Sequence, residues 1–349
     1  MTDLKQQTLI ISSTALASAT AGDEHEDADV LADASGYELR EAAVPVESHG
    51  QRLDLALVQI APEFSRSYLQ QLIDSGGVAH NGRTQTKASS KVKAGDRLSI
   101  ELKPTPQSQA FKPEPMALDV VYEDSHILVI NKPAGLVVHP APGNWSGTLL
   151  NGLLARDAKA STLPRAGIVH RLDKDTSGLM VVACTRQAMD QLVQMIAART
   201  VSRQYFALAH NTWQGAKTRT VDLPVGRDVK NRLRMAVVDL DRNPGKTAST
   251  TITLLENGLN SCLVRCKLHT GRTHQIRVHM AALGHALLSD VLYGGSIAGG
   301  LYRQALHASE LAFEHPVTGE SLRFKSLVSA DIQAAMVQLG LSYNQVIES

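Results

Sequence analysis

The sequence is poor in aromatic residues, in cysteine and in long apolar stretches, and each shortage excludes a class of protein. Phe, Trp and Tyr make up 4% of the 349 residues, too few for a sheet that binds RNA by stacking bases on aromatic rings. The three cysteines have no disulfide-framework spacing, as is typical of proteins in the reducing cytoplasm. No apolar run reaches the roughly 18 residues of a membrane-spanning helix. We therefore expect a cytoplasmic protein that makes no membrane contact.

Several well-known catalytic motifs are missing as well. The sequence contains no nucleophile elbow, Walker loop or dinucleotide-binding fingerprint. His274 and His279 lie five positions apart and lack the His-Glu-x-x-His pattern of a zinc protease. Cys262 and Cys266 fall on one face of an apolar strand, which predicts core residues rather than ligands. We expect neither a metal nor a cofactor.

The net charge is only +1, but the charges are unevenly distributed. Residues 1–48 contain ten acids and two bases, a net charge of −8 that leaves +9 for the rest of the chain. An acidic leader attached to a basic body is compatible with a protein that binds a polyanion. The simpler interpretation is a solvated leader without a role. We predict that residues 1–45 are disordered and that ordered structure begins near Val46.

Residues 46–103 have the pattern of a small α+β unit. Two short helices are predicted, one over residues 52–58 and one that begins at the N-cap Ser65. The dipeptide Asn81-Gly82 predicts a tight hairpin turn, and a strand follows over residues 97–102. This order resembles the S4 RNA-binding module, which implies that basic side chains of the unit contact RNA phosphates. The candidates are Arg66, Lys87 and Lys91.

The four prolines within residues 104–115 predict a linker, after which residues 116–335 form a larger domain and residues 336–349 a tail. Apolar runs that are typical of strands recur in the larger domain. The clearest are residues 127–130, 179–183, 205–208 and 262–268. An amphipathic helix is predicted over residues 187–199. We predict an α+β domain built on a mixed, mostly antiparallel sheet.

The densest cluster of polar residues lies at residues 167–179. The apolar pair Ile168 and Val169 predicts a strand that leads into a charged turn and then into a second apolar strand. A charged turn between two core strands is a position at which a rigid scaffold presents reactive groups. On spacing alone, a salt-bridged loop is the simpler interpretation.

The same cluster resembles the signature of the RluA family of pseudouridine synthases. The resemblance is carried by His-Arg-Leu-Asp at residues 170–173 and by the Lys-Asp-Thr-Ser-Gly-Leu that follows. Three further segments resemble family motifs in the family's order, at residues 131–140, 203–207 and 268–280. The resemblance covers about residues 46–335. It implies a monomeric pseudouridine synthase that isomerises uridine in 23S ribosomal RNA, either free or in an assembling large ribosomal subunit.

Three catalytic residues follow from this resemblance. Asp173 takes the part of the family aspartate, either as a nucleophile at C1′ of the ribose or as a base that removes the 2′ proton to give a glycal. Tyr205 is expected to stack on the detached uracil and to accept the C5 proton. Arg277, on a helix predicted over residues 273–284, is expected to pair with Asp173 and hold it ionised. Arg272 is the alternative partner.

The resemblance also implies RNA contacts around these residues. A base inside folded RNA cannot reach a carboxylate, so the uridine must be extruded from its stack. Arg171 is expected to fill or brace the gap that the flipped nucleotide leaves. Lys132 and Arg272 are expected to contact the RNA as well.

Other interpretations stay open at this point. The chain can be a ribosome-assembly factor for which RNA binding matters more than catalysis. It can also be a sister synthase that modifies another site in ribosomal RNA or a transfer RNA. Judged without the resemblance, Tyr205 would be a core tyrosine and Arg277 an arginine whose stem lies along a helix.

Overall fold

The structure of the chain is a computed structural model that describes residues 38–102, 110–141, 143–231 and 234–342. The chain divides into two compact units, Met1–Pro104 and Thr105–Ser349. Most of the predicted leader, residues 1–37, lies outside the described residues. Within the described ranges, no helix is both long and apolar enough to cross a membrane.

The first unit combines a four-stranded antiparallel sheet, in the order β1-β4-β2-β3, with two helices. Its elements are β1 (Glu38–Ala43), α1 (Leu53–Ile60), α2 (Arg66–Asp74), β2 (Val78–His80), β3 (Arg83–Thr84) and β4 (Arg97–Leu102). Ser65 caps α2 by accepting a hydrogen bond from the Tyr68 amide. Asn81 and Gly82 have φ angles of 50° and 75°, as a type I′ hairpin turn requires. The predicted helices, turn and last strand are confirmed.

The predicted start of ordered structure near Val46 is wrong. The strand β1 begins at Glu38 and pairs along its whole length with β4. The usual alternation of buried apolar and exposed polar side chains is reversed in this strand. Arg40 is half-buried and pairs with Glu38, whereas Leu39 is exposed. Charged side chains are common on an edge strand, where they discourage pairing with another chain. They also made this strand look like part of the acidic leader.

The second unit is built on one large sheet with helices packed against it. Its strands are β5 (Val120–Glu123), β6 (Ile127–Lys132), β7 (Ser177–Ala183), β8 (Ser202–His210), β9 (Thr218–Val221), β10 (Val225–Arg227), β11 (Met235–Val237), β12 (Gly245–Lys246), β13 (Thr250–Asn257), β14 (Ser261–Leu268), β15 (Leu306–Glu314) and β16 (Ser321–Lys325). Its helices are α3 (Leu149–Arg156), α4 (Arg186–Ala197), α5 (Gln275–Ala282) and α6 (Ala330–Gln338).

The large sheet has the strand order β5-β6-β7-β15-β8-β14-β13-β9, with β16 paired to β15. The β7–β15 pair is parallel, and the other pairs in this sheet are antiparallel. The predicted mixed, mostly antiparallel sheet is therefore confirmed. Cys262 and Cys266 on β14 are fully buried, as predicted for core residues. A smaller sheet has the order β11-β10-β12.

Three predicted features of this unit are wrong. The described part of the predicted linker is anchored to the unit, because the Asn151 side-chain amide donates to the carbonyls of Ala110 and Lys112. The predicted tail contributes to the core, where Met336 and Leu341 are buried. The strand predicted at Ile168 and Val169 is reduced to a single bridge between Ile168 and Val182.

Candidate active site

The polar segment at residues 169–176 is an irregular loop that leads into β7. Its backbone is held by two buried or nearly buried cations. Lys132 Nζ donates to three carbonyls, those of Pro133, Leu136 and Lys174, at 2.8–2.9 Å. Arg303 Nη1 donates to the carbonyl of Asp175 at 2.8 Å. The loop backbone is thus fixed at Lys174 and Asp175, immediately after Asp173.

Asp173 is held at one oxygen and approached at the other. Arg277 Nη1 lies 3.3 Å from Oδ2, and His274 Nε2 lies 3.8 Å from Oδ1. The second distance is too long for a hydrogen bond. The Asp173 side chain keeps 17% of its surface exposed. Its carboxylate is therefore positioned by a cation but still open to a ligand.

Arg277 projects from α5 and is itself held by a second carboxylate. Its Nε and Nη2 donate to the two oxygens of Asp290, both at 2.7 Å, in a bidentate pair that is almost completely buried. The guanidinium carbon lies 4.9 Å from the centre of the Tyr293 ring. Burial opposes the charge on Arg277, but its hydrogen bonds to Asp290 outweigh this and raise its pKa. The cation beside Asp173 is therefore permanent.

His274 precedes α5 in a left-handed conformation, with φ of 57°. Its Nδ1 lies 2.8 Å from the Tyr293 hydroxyl, which also accepts a hydrogen bond from the Met235 amide. Burial lowers the pKa of His274, which favours the neutral ring.

Tyr205 lies on β8 with 5% of its surface exposed, and it contributes to both the core and the candidate site. Burial raises the pKa of its hydroxyl to about 12. The phenol is therefore protonated at neutral pH, and its ring is available for stacking. A role as proton acceptor would require a bound substrate to change this environment.

One cavity of about 360 Å³ brings most of the predicted residues together. Its size falls in the range of about 300–1,000 Å³ that is typical of small-ligand sites. The predicted residues among those that line it are Arg171, Asp173, Tyr205, Arg272 and Arg277. Further lining residues include Arg199, Arg203, Thr270, Gly271 and His274. Arg272, the alternative partner of Asp173, instead donates from Nε to the Thr247 carbonyl.

The expected RNA contact of Lys132 is wrong. The residue is 1% exposed, and its ammonium group donates to the backbone carbonyls of Pro133, Leu136 and Lys174. Burial lowers its pKa to about 8. The side chain therefore supports the backbone around Asp173 instead of reaching a phosphate.

The basic residues of the first unit that are predicted to bind RNA differ in whether they already pair with a carboxylate. Arg66 donates from Nη2 to the buried Asp54 at 2.8 Å, with about half of its side chain exposed. Lys87 and Lys91 are exposed. Their contacts with RNA stay a prediction.

The residues that hold Arg277 in place were not predicted from the sequence. Asp290 and Tyr293 follow α5 in a short loop and turn that have no helical or strand periodicity. The sequence did contain one signal. Asp290 lies in an apolar segment, which predicts that it is buried, and no Lys or Arg is close to it in the sequence. Because such an acid needs a cation, it pointed to a distant arginine.

The chain is similar to known proteins of one family. The family model described as RNA pseudouridylate synthase matches residues 126–282, and the S4 domain model matches residues 51–98. The chain is 45% identical to ribosomal large subunit pseudouridine synthase D of Neisseria meningitidis serogroup B, over 89% of this chain and 84% of that protein. It is 44% identical to the protein of the same name from Xanthomonas campestris pv. campestris, over 86% of this chain and 92% of the relative.

A solved structure supports the fold. Human RNA pseudouridylate synthase domain containing 4 superposes with a TM-score of 0.51 at 24% identity, over 64% of this chain and 94% of the human chain. These findings all point to the same family. The chain belongs to the RNA pseudouridylate synthase family and carries an S4 domain in front of its synthase domain.

Proposed function

We propose that this pseudouridine synthase modifies 23S ribosomal RNA, with Asp173 as the residue that acts on the ribose. The choice of RNA is supported by the relatives, which are named for the large ribosomal subunit. The role of Asp173 is supported by one observation above all. Its Oδ2 is held by Arg277, its Oδ1 has no hydrogen bond among the described residues, and the residue lines the cavity.

The reaction moves uracil from an N1 to a C5 linkage on the same ribose. Asp173 opens the C1′–N1 bond either by attack on C1′ or by removal of the 2′ proton. In a hydrolytic glycosidase, a second carboxylic acid would protonate the leaving group and water would be activated. Among the described residues that line the cavity, Asp173 is the one carboxylate. This favours transfer of a retained base over hydrolysis.

The remaining residues hold the base and the RNA. An extruded uridine needs a pocket that keeps the detached ring in place, and the ring of Tyr205 provides an apolar face for it. Arg171 is exposed at the cavity, where a planar cation can occupy the place of the flipped base or bind a phosphate. The enzyme is proposed to act as a cytoplasmic monomer on free RNA or on the assembling large subunit.

The test is to incubate the purified protein with unmodified transcripts of large-subunit ribosomal RNA, small-subunit ribosomal RNA and transfer RNA. Pseudouridine is quantified by nucleoside chromatography and mapped by primer extension after carbodiimide treatment. We expect it in the large-subunit transcript with the wild-type protein and not with Asp173→Asn. Modification of only the small-subunit or transfer RNA would contradict the proposed substrate and favour the sister-synthase interpretation.

A further inference from the structure

Arg203 is a buried cation without a partner in the described part of the chain. The residue is 7% exposed, and its Nε is enclosed with no acceptor in reach. The ion pairs and hydrogen bonds of the described residues include other arginines of the same unit, such as Arg277 and Arg303, but not the guanidinium of Arg203. It differs in this respect from Arg277, whose charge is met by two carboxylates.

The position of Arg203 directs it into the candidate active site. It lies two residues before Tyr205 on β8, so both side chains project from the same face of the strand. Both line the cavity. On the far side, Arg203 Nη1 lies 2.8 Å from the position that a Cβ on Gly271 would take. A side chain at position 271 would therefore require the guanidinium of Arg203 to shift.

A cation in this position is costly unless something compensates for it. Removing an ion from water is unfavourable even after the protein relaxes, and a buried charge is normally paired for that reason. The Asp173 carboxylate in the same cavity is already in contact with Arg277. The partner that Arg203 lacks is therefore expected to come with the substrate.

We propose that Arg203 binds the uracil ring of the extruded uridine and stabilises the negative charge that the ring acquires when its glycosidic bond breaks. This rests on the proposed function. When C1′–N1 breaks, the electron pair of the bond goes to the ring and spreads over N1, O2 and O4. The bond that C1′ loses is replaced by an ester bond to Asp173, or by a C1′–C2′ double bond that forms as Asp173 removes the 2′ proton.

The charge on the ring is temporary. When C5 then attacks C1′, the ester bond breaks or the 2′ proton is returned. The C5 proton leaves to a base and a proton is added at N1, so that atoms and charge balance. Hydrogen bonds from Arg203 are strongest while the ring is anionic, which is the state that must be stabilised for catalysis.

The burial of Arg203 favours the base over a phosphate as its ligand. Arg171 and Arg199, which also line the cavity, are exposed, whereas Arg203 is not. A phosphate is tied to the RNA chain on both sides and is expected to stay with the exposed arginines. The flipped base is the part of the nucleotide that enters deepest, and Tyr205 provides the apolar face beside Arg203.

The test uses single-turnover reactions of the full chain, at saturating protein, with large-subunit transcripts made with uridine or with 5-fluorouridine. Fluorine withdraws electrons, so the departing fluorouracil needs less stabilisation. Consumption of the N-linked nucleoside is measured, because 5-fluorouridine cannot lose a C5 proton. For Arg203→Met, which keeps the length of the stem, we expect a loss of about 100-fold with uridine and at most about 10-fold with 5-fluorouridine. Arg203→Lys should recover part of the loss.

Arg186→Met, which removes an exposed arginine of α4 that is paired with Asp190, serves as the matched control and should leave both rates within about twofold of wild type. The role of Arg203 would be overturned by equal losses with both transcripts, or by a loss confined to RNA affinity, which indicates a phosphate contact. A lower melting temperature for Arg203→Met would also overturn it, because removal of an unpaired buried charge should not destabilise the fold. A wild-type protein that modifies neither transcript would instead overturn the proposed function.

Discussion

Asp54 in the first unit and Asp173 in the second are both carboxylates paired with arginine. They differ in whether a carboxylate oxygen remains free to contact a ligand. Asp54 is fully buried and accepts hydrogen bonds from Arg52, Arg66 and Gln70 at 2.6–3.2 Å. Asp173 is partly exposed and has one contact with Arg277, at 3.3 Å. The same residue types thus form a closed structural site in one unit and an open site in the other.

The difference lies in where the strong hydrogen bonds go. Arg277 gives its two short bonds to Asp290, at 2.7 Å each, and only a long one to Asp173. Asp290 therefore neutralises most of the arginine charge, while Asp173 keeps a free oxygen. A carboxylate with all of its acceptor positions occupied stabilises a fold, whereas one with a free oxygen beside a fixed cation is suited to react.

The largest effect expected from this comparison is on activity, at Asp173. Asp173→Asn keeps the shape of the side chain but removes its nucleophilic and basic character, so the single-turnover rate should fall by at least about 1,000-fold. The melting temperature should stay within about 2 °C of wild type, because the side chain makes only one long hydrogen bond. Rate is measured by pseudouridine formation and stability by thermal denaturation. A protein that keeps more than a tenth of the wild-type rate would contradict the catalytic role.

Asp290 should affect both activity and stability. Asp290→Ala leaves Arg277 buried with only the long contact to Asp173, and breaking a buried pair in this way costs about 3–5 kcal/mol. Arg277 should then turn toward Asp173 and occupy its free oxygen, with a loss of rate of about 100-fold. The free energy of unfolding and the single-turnover rate are the two measurements. Loss of stability with an unchanged rate would show that Asp290 does not position Arg277 for catalysis.

Asp54 should affect stability alone. Asp54→Ala removes the acceptor of three side chains and should lower the free energy of unfolding by about 3 kcal/mol. The rate at saturating RNA should remain within about threefold of wild type, because Asp54 lies in the first unit and outside the cavity. Denaturant titration and single-turnover kinetics test this. A large fall in the saturated rate would contradict the assignment of the two carboxylates to different tasks.

Asp54 should also make stability depend on pH. Hydrogen bonds from Arg52 in the first place, and also from Arg66 and Gln70, hold its pKa well below the usual value in spite of burial. The unfolded chain then binds a proton at about pH 4, where the folded chain does not. The contribution of Asp54 is therefore complete above about pH 4 and is lost as the pH falls further. The difference in unfolding free energy between wild type and Asp54→Ala should shrink over that range, and a constant difference would contradict this.

Part of the candidate site could be predicted from the sequence. Asp173 and Arg277 are 104 residues apart, yet each lies in a segment whose motif is recognisable, so their pairing was predicted correctly. Asp290 and Tyr293 lie in an irregular segment, where no periodicity shows which side chains turn inward. The RNA contact of Lys132 that the resemblance implied is wrong, because the sequence does not show the three carbonyls that surround its ammonium group.

The fold, too, was predicted where the sequence has a regular pattern and not where it is irregular. Elements with regular apolar spacing, such as α4 and β7, were predicted within a few residues, because burial of one face or of both faces leaves a mark on the sequence. The edge strand β1 and the buried Leu341 after α6 have no such mark. Their positions depend on neighbours that are distant in the sequence.

The smallest expected effect concerns RNA binding by the first unit. Lys87 and Lys91 are exposed and, unlike Arg66, are not committed to Asp54. If they contact phosphates, the double variant Lys87→Ala/Lys91→Ala should bind large-subunit RNA several-fold more weakly at low salt, and the slope of log affinity against log salt should decrease by about 2. Lys87→Arg/Lys91→Arg keeps the charge and should restore the wild-type slope. A slope that is the same in all three proteins would mean that Lys87 and Lys91 do not contact phosphates. Exposure of a lysine that has no carboxylate partner would then not be enough to identify an RNA contact.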